Sequence, residues 1–167
     1  MKAFAKAIFI FAVCAGSQAM ASDAEFLQSI EGRWSGGGIA LTKLGGSNVK
    51  VSCSMRSDAN VSNFSMDGTC RALAVVSRSF NAKVRSSGTL YSGTYVGVSG
   101  KPSKLAGVRK GNTIRFDVTW ANTVYGDRKA TMTIQKVGEK GLRIRTIDRD
   151  PATGKTIVTT QLDLQRG

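Results

Sequence analysis

The chain has 167 residues, with 24 Lys and Arg against 11 Asp and Glu, no His and three Cys. That length fits one domain, and a hydrophobic content of 41% excludes a disordered basic tail. The lack of His excludes every His-dependent catalytic triad and every imidazole metal site.

The first 21 residues have the make-up of a secretory signal peptide. Lys2 and Lys6 supply the positive start, residues 7–15 (AIFIFAVCA) the apolar run, and Ala19-Met20-Ala21 the small residues of a cleavage site. The run is too short to span a bilayer. The expected cut follows Ala21, with a cut after Ala19 as the alternative. Cys14 leaves with this segment, because Val13 stands where a lipid-modified Cys wants a small residue. Residues 22–167 then form a single exported domain, periplasmic or secreted. It keeps 22 basic side chains against 11 acidic ones. No later apolar stretch is long enough for a transmembrane helix.

Ser22-Asp23-Ala24-Glu25 has the spacing of a helix-capping box. Phe26, Leu27 and Ile30 make one apolar face of a short helix that ends before Gly32. All that follows reads as strand, with Gly at short intervals and Pro only at 102 and 151. The first strand covers 33–43. The second and third carry Val49, Val51, Cys53 and Met55, then Phe64, Met66, Gly68, Cys70 and Ala72, each alternating with polar residues. Folded into a hairpin about Asn60 and Val61, these strands place Cys53 opposite Cys70 on the apolar face. An even cysteine count in an exported chain reads as a disulfide. The closed loop of about 17 residues is worth about 3 kcal/mol in the chain-entropy model. The spacing is not that of a redox pair.

Further strands cover 78–85, 89–98, 104–109 and 114–120, the last with Ile114, Phe116, Val118 and Trp120 on one face. Three more centre on Ala130–Ile134, Leu142–Arg145 and Val158–Leu164, and residues 150–154 (DPATG) form a tight turn between the last two. About ten short strands with short connections predict an all-β antiparallel meander. Closure into an up-and-down β-barrel removes the exposed edges; a two-sheet β-sandwich is the alternative. No βαβ unit exists to bind a nucleotide.

Gly32-Arg33-Trp34 opens the first strand after the helix. That placement resembles the Gly-x-Trp motif of lipocalins and the wider calycin barrels. The resemblance implies a Trp34 plug at the closed end, with an Arg from a late strand, Arg166 or Arg145, packed on it. Gly32-Arg-Trp-Ser-Gly36-Gly-Gly38, Val51-Ser-Cys53, Cys70-Arg-Ala72, Ser92-Gly-Thr-Tyr95 and Leu162-Asp-Leu-Gln-Arg166 also resemble a family of small exported β-barrel proteins of alphaproteobacterial type. This resemblance implies a fold and a compartment, and no activity.

The sharpest feature is electrostatic. Between Asp67 and Asp117 no acidic residue occurs, yet Arg71, Arg78, Lys83, Arg85, Lys101, Lys104, Arg109, Lys110 and Arg115 do. Such a stretch projects a positive field. It suits an anionic envelope component, or it simply keeps a solvated surface soluble. The expected anion-binding patch is Arg78, Lys83, Arg85, Lys101, Lys104, Arg109 and Lys110. Nucleic acid is disfavoured by export and by the lack of a recognition motif. Gly36-Gly37-Gly38 precedes no helix and is no phosphate loop; it suits strand bending.

Tyr91, Tyr95, Phe116 and Met132 are the expected interior contacts of a small apolar ligand. Trp120 continues an apolar strand face and reads as core before ligand stacking. Asp117, Asp127, Asp148 and Asp150 could supply a carboxylate pair, but each reads as outward or turn-borne. No G-x-S-x-G and no metal spacing occurs. The expectation is a non-enzymatic exported binding protein without cofactor. An inhibitor or chaperone-like partner of another, acidic, exported protein is the alternative.

Overall fold

A computed structural model describes residues 17–73 and 75–167. Residues 1–16, with Cys14 and most of the expected signal peptide, lie outside the described residues. Helix α1 (Ser17–Ile30) leads into ten strands: β1 (Gly32–Leu41), β2 (Asn48–Ala59), β3 (Asn63–Ala72), β4 (Val76–Ser87) and β5 (Leu90–Val96), then β6 (Pro102–Lys110), β7 (Thr113–Val124), β8 (Asp127–Val137), β9 (Gly141–Arg149) and β10 (Thr156–Arg166).

Each strand pairs antiparallel with its sequence neighbour, and β1 pairs with β10 to close a barrel. The closing ladder runs from Trp34↔Arg166 to Ala40↔Thr160, which decides for the barrel over the sandwich. Closure needs β1 to lie tightly against β10. A Cβ on Gly36 would stand 2.2 Å from the Asp163 carbonyl oxygen, and one on Gly38 1.9 Å from that of Gln161. Only glycine permits this approach.

The helix starts earlier than the capping box suggested. In the full-length chain Ser22 lies within α1, because residues 17–21 are already helical ahead of it. A cut after Ala21 would return Ser22 to the N-terminus. No helix among the described residues is long and apolar enough to cross a membrane.

Cys53 and Cys70 face each other across β2 and β3 and form the disulfide. Alternation places Trp34, Met55, Phe64, Met66, Val84, Ile114, Phe116, Ile134, Leu142 and Leu164 inside, all buried. Leu27 and Ile30 of α1 are fully buried against them, so the helix plugs one end. At that end the turns between strands are short. The opposite end carries the longer connections 42–47, 97–101 and 150–155.

The plug is fixed by polar contacts as well as packing. A helix leaves its last carbonyls unpaired. Here Trp34 Nε1 donates to the Ile30 carbonyl at 3.0 Å and Arg166 Nη2 to that of Ser29 at 2.6 Å. The Arg166 guanidinium lies 4.7 Å from the Trp34 ring centroid and Lys136 Nζ 5.7 Å, within cation–π range. Arg166, not Arg145, is thus the arginine on Trp34; Arg145 lies on the outer side of β9, between Thr133 and Gln161. Burial and the nearby Arg166 charge hold the Lys136 ammonium below its ordinary value; it donates to the Gly138 and Glu139 carbonyls.

Candidate functional site

The four expected ligand contacts all point inward, but not to one place. Tyr91 packs between Phe64 and Phe116, with ring centroids 6.3 Å apart on each side. These rings come from the helix-proximal parts of β3, β5 and β7 and belong to the buried core with Ile114, Ile134, Leu142 and Leu164. Phe116 is wholly buried and Met132 nearly so. Tyr95 lies nearer the far end, 6.1 Å from Trp120. The lower lumen is therefore a packed aromatic core.

The Tyr91 hydroxyl donates to Asp23 Oδ1 at 2.6 Å, and Arg109 Nε donates to the same oxygen at 2.7 Å. Burial and the Asp23 carboxylate push the tyrosine hydroxyl far above its ordinary value. Asp23 and Arg109 are both buried, with side chains 4% and 8% exposed. Arg109 also sits over the Phe26 ring at 5.2 Å and donates to the Gly111 carbonyl. It ties α1 to β6 and stands apart from the surface cations with which its sequence position grouped it. The reason is strand parity: Ser103, Leu105, Gly107 and Arg109 share the inward face of β6.

Asp148 is likewise inside, 4% exposed, not the solvated charge its place near the 150–154 turn suggested. Leu142, Ile144, Thr146 and Asp148 form the inward face of β9. A register shift in β10 between Val158 and Thr160 adds one residue, Thr159, and turns it inward. Thr159 Oγ1 and Trp120 Nε1 both donate to the Asp148 carboxylate. Burial outweighs those bonds and raises the carboxyl above its ordinary range. A raised native value stabilises the fold below the ordinary carboxylate range, and that contribution is lost as pH rises through the native value. The melting temperature of Asp148→Asn relative to wild type is therefore expected to climb as pH rises above the ordinary carboxylate range. A difference independent of pH in calorimetry would contradict this placement.

The remaining cations are exposed; Arg78 keeps the inward parity of β4, opposite Cys70, where that strand runs past the end of β5. Arg78 and Lys101 stand exposed at the open end, and Lys110 is exposed at the helix end of β6. Lys83, Arg85 and Lys104 rise from the outer faces of β4 and β6. Register places Ser65 beside Lys83, Lys83 beside Thr94, Thr94 beside Lys104, Lys104 beside Thr119 and Thr119 beside Lys129. Lys83, Lys104 and Lys129 thus recur on every second strand, spaced by threonines and all exposed. Neighbouring strands lie about 4.8 Å apart, so the lysine stems leave the sheet roughly 10 Å from one another. Lys129 escaped the sequence reading because the acid-free stretch stops at Asp117. Its signal was the alternation of Lys129, Thr131 and Thr133 on one face of β8.

One end of this ladder opens into a shallow outer groove of about 690 Å³, lined by Asn60, Asn63, Ser65, Lys83, Arg85, Ser92 and Thr94 among others. Two cations stand over hydroxyl and amide side chains there. Asp58 at its edge is paired with Arg56 at 2.8 Å. A second groove of about 660 Å³ lies over β1–β4 and includes Arg33, Arg56, Asp67 and Thr69. Its charges are mixed, and Asp67 accepts from Asn81. The first groove and the ladder give the more cationic surface, with Asp117 beside Thr119 and Asp127 beside Lys129 as its acidic neighbours. Among the described residues no three acidic or cysteine side chains converge as metal ligands.

No family model and no curated protein matches the chain. A solved structure, that of Rv2717c from M. tuberculosis, is similar with a TM-score of 0.67 at 13% identity, over 87% of this chain and 97% of that one. At that identity the likeness establishes the fold shared by the two chains.

Proposed function

We propose that the protein is a non-enzymatic, exported binding barrel that holds a linear anionic polymer of the cell envelope on its outer face. The observation that carries this reading is the ladder of Lys83, Lys104 and Lys129 on alternate strands, with Thr94 and Thr119 between them. Evenly spaced ammonium groups suit a polymer with evenly spaced anionic groups, and the hydroxyls between them suit its sugar oxygens. An acidic polysaccharide is the chemistry of choice. A small apolar ligand in the lumen is the weaker reading, because Phe64, Tyr91 and Phe116 already occupy its lower half. The signal-peptide pattern supports export, and Arg166 over Trp34 supports a calycin-like base.

The test is retention on an immobilised acidic polysaccharide at rising salt. Exposed charges are screened within about 8 Å at physiological ionic strength, so wild type should elute as salt rises. Lys83→Gln/Lys104→Gln/Lys129→Gln should bind about tenfold more weakly, as expected for three exposed ion pairs of modest strength. Arg71→Gln/Arg78→Gln/Lys101→Gln removes the same charge elsewhere and should stay near wild type. Equal losses in the two variants would reduce the effect to net charge and reject the ladder. Capture of an acidic exported protein by the ladder in place of polysaccharide would reject the polymer.

A further inference from the structure

The open rim is chemically lopsided. On its β7–β10 side stand Asp127 and Asp150. On its β3–β6 side no acidic residue occurs, and four apolar side chains face solvent: Leu73 at 75% exposure, Val75 at 85%, Val76 at 38% and Val98 at 77%. Leu73, Val75 and Val76 belong to the tip of the β3–β4 hairpin, and Val98 to the next connection at this end, β5–β6.

The tip projects. β3 and β4 stay paired as far as Ala72↔Val76, whereas β5 joins β4 only from Asn81↔Val96. Residues 76–80 of β4 therefore stand above the end of β5. At the tip Leu73 holds φ 51°, a region that L side chains seldom adopt, and presents its side chain to water. Arg71, Arg78 and Lys101 are exposed, each within three residues of one of these side chains along the chain.

We propose that this rim docks the protein onto an anionic lipid bilayer. Leu73, Val75, Val76 and Val98 enter the headgroup layer, and Arg71, Arg78 and Lys101 pair with lipid phosphates. A weak apolar insertion and a cluster of cations each give marginal attachment, and together they give stable peripheral binding. The site is separate from the ladder, which runs around the wall of the barrel.

Co-sedimentation of the processed chain with phosphatidylcholine vesicles, with and without phosphatidylglycerol, tests it. Wild type should sediment with the anionic vesicles and not with the neutral ones. Leu73→Ser/Val75→Ser should lower partitioning by about tenfold, from the apolar area withdrawn from the lipid. The triple Arg71→Gln/Arg78→Gln/Lys101→Gln should do the same. Leu90→Ser, an apolar position 61% exposed at the helix end, should change nothing. The charge-matched Lys83→Gln/Lys104→Gln/Lys129→Gln should lose less than the rim triple. These positions are exposed, so unchanged unfolding midpoints check that each variant is folded. Wild-type binding by the serine pair, equal losses from the two charge triples, or no sedimentation of wild type would each overturn the proposal. Polysaccharide retention of the same variants separates this failure from failure of the ladder.

Discussion

Replacing Arg109 by Met is expected to destabilise the fold by about 3–5 kcal/mol, as for other buried ion pairs that lose one partner. The change leaves Asp23 buried, with the Tyr91 hydroxyl as its one remaining side-chain donor among the described residues. Three elements meet at this carboxylate: α1 through Asp23, β5 through Tyr91 and β6 through Arg109. An uncompensated charge there is relieved by drawing the helix away from the barrel end, which also exposes Phe26. Asp23→Asn/Arg109→Met removes the charge as well and should recover much of the loss. Lys110→Met, one residue along and exposed, should stay within about 0.5 kcal/mol of wild type. Urea unfolding reads all three. Similar midpoints for the Arg109 and Lys110 variants would contradict a buried pair.

Trp34→Ala should cost about 3–5 kcal/mol, the range for deleting a large buried aromatic side chain. Trp34 is 1% exposed, and its ring is the platform on which Arg166 and Lys136 converge. Removing it opens a cavity between β1 and the helix plug and leaves the Ile30 carbonyl without its donor. Trp34→Phe keeps most of the packing and should cost about 1–3 kcal/mol, the penalty for a buried acceptor left unsatisfied. Denaturant midpoints distinguish the two. Equal losses would show that packing contributes nothing beyond the single hydrogen bond. A negligible loss for Trp34→Ala would place Trp34 outside the core.

The barrel was legible because its strands alternate strongly. Cys53 and Cys70 could be set opposite each other from parity alone, and the closing β1–β10 ladder follows from a meander that leaves no edge exposed. The site was legible only in part. Lys83, Arg85 and Lys104 were found as a run of charge, but a run follows the chain, whereas a ladder follows the hydrogen-bond register. Lys129 therefore lay beyond it and Arg109 was drawn into it. Parity alone would have turned Arg109 inward, since it shares a face with Leu105. Its partner Asp23 lies 86 residues away, and no local pattern links them. Asp148 was misplaced because its nearness to a turn outweighed its alternation with Leu142 and Ile144. The bulge that brings Thr159 to it leaves no mark that alternation can read.

On the proposed function the outer wall, not the lumen, holds the polymer. Backbone amide NMR during titration with a linear acidic polysaccharide tests it most directly. Shifts should follow the ladder, at Ser65, Lys83, Thr94, Lys104, Thr119 and Lys129, and fade as salt is added. Shifts confined to the inward residues Tyr91, Tyr95, Phe116 and Met132, with the ladder silent, would contradict it.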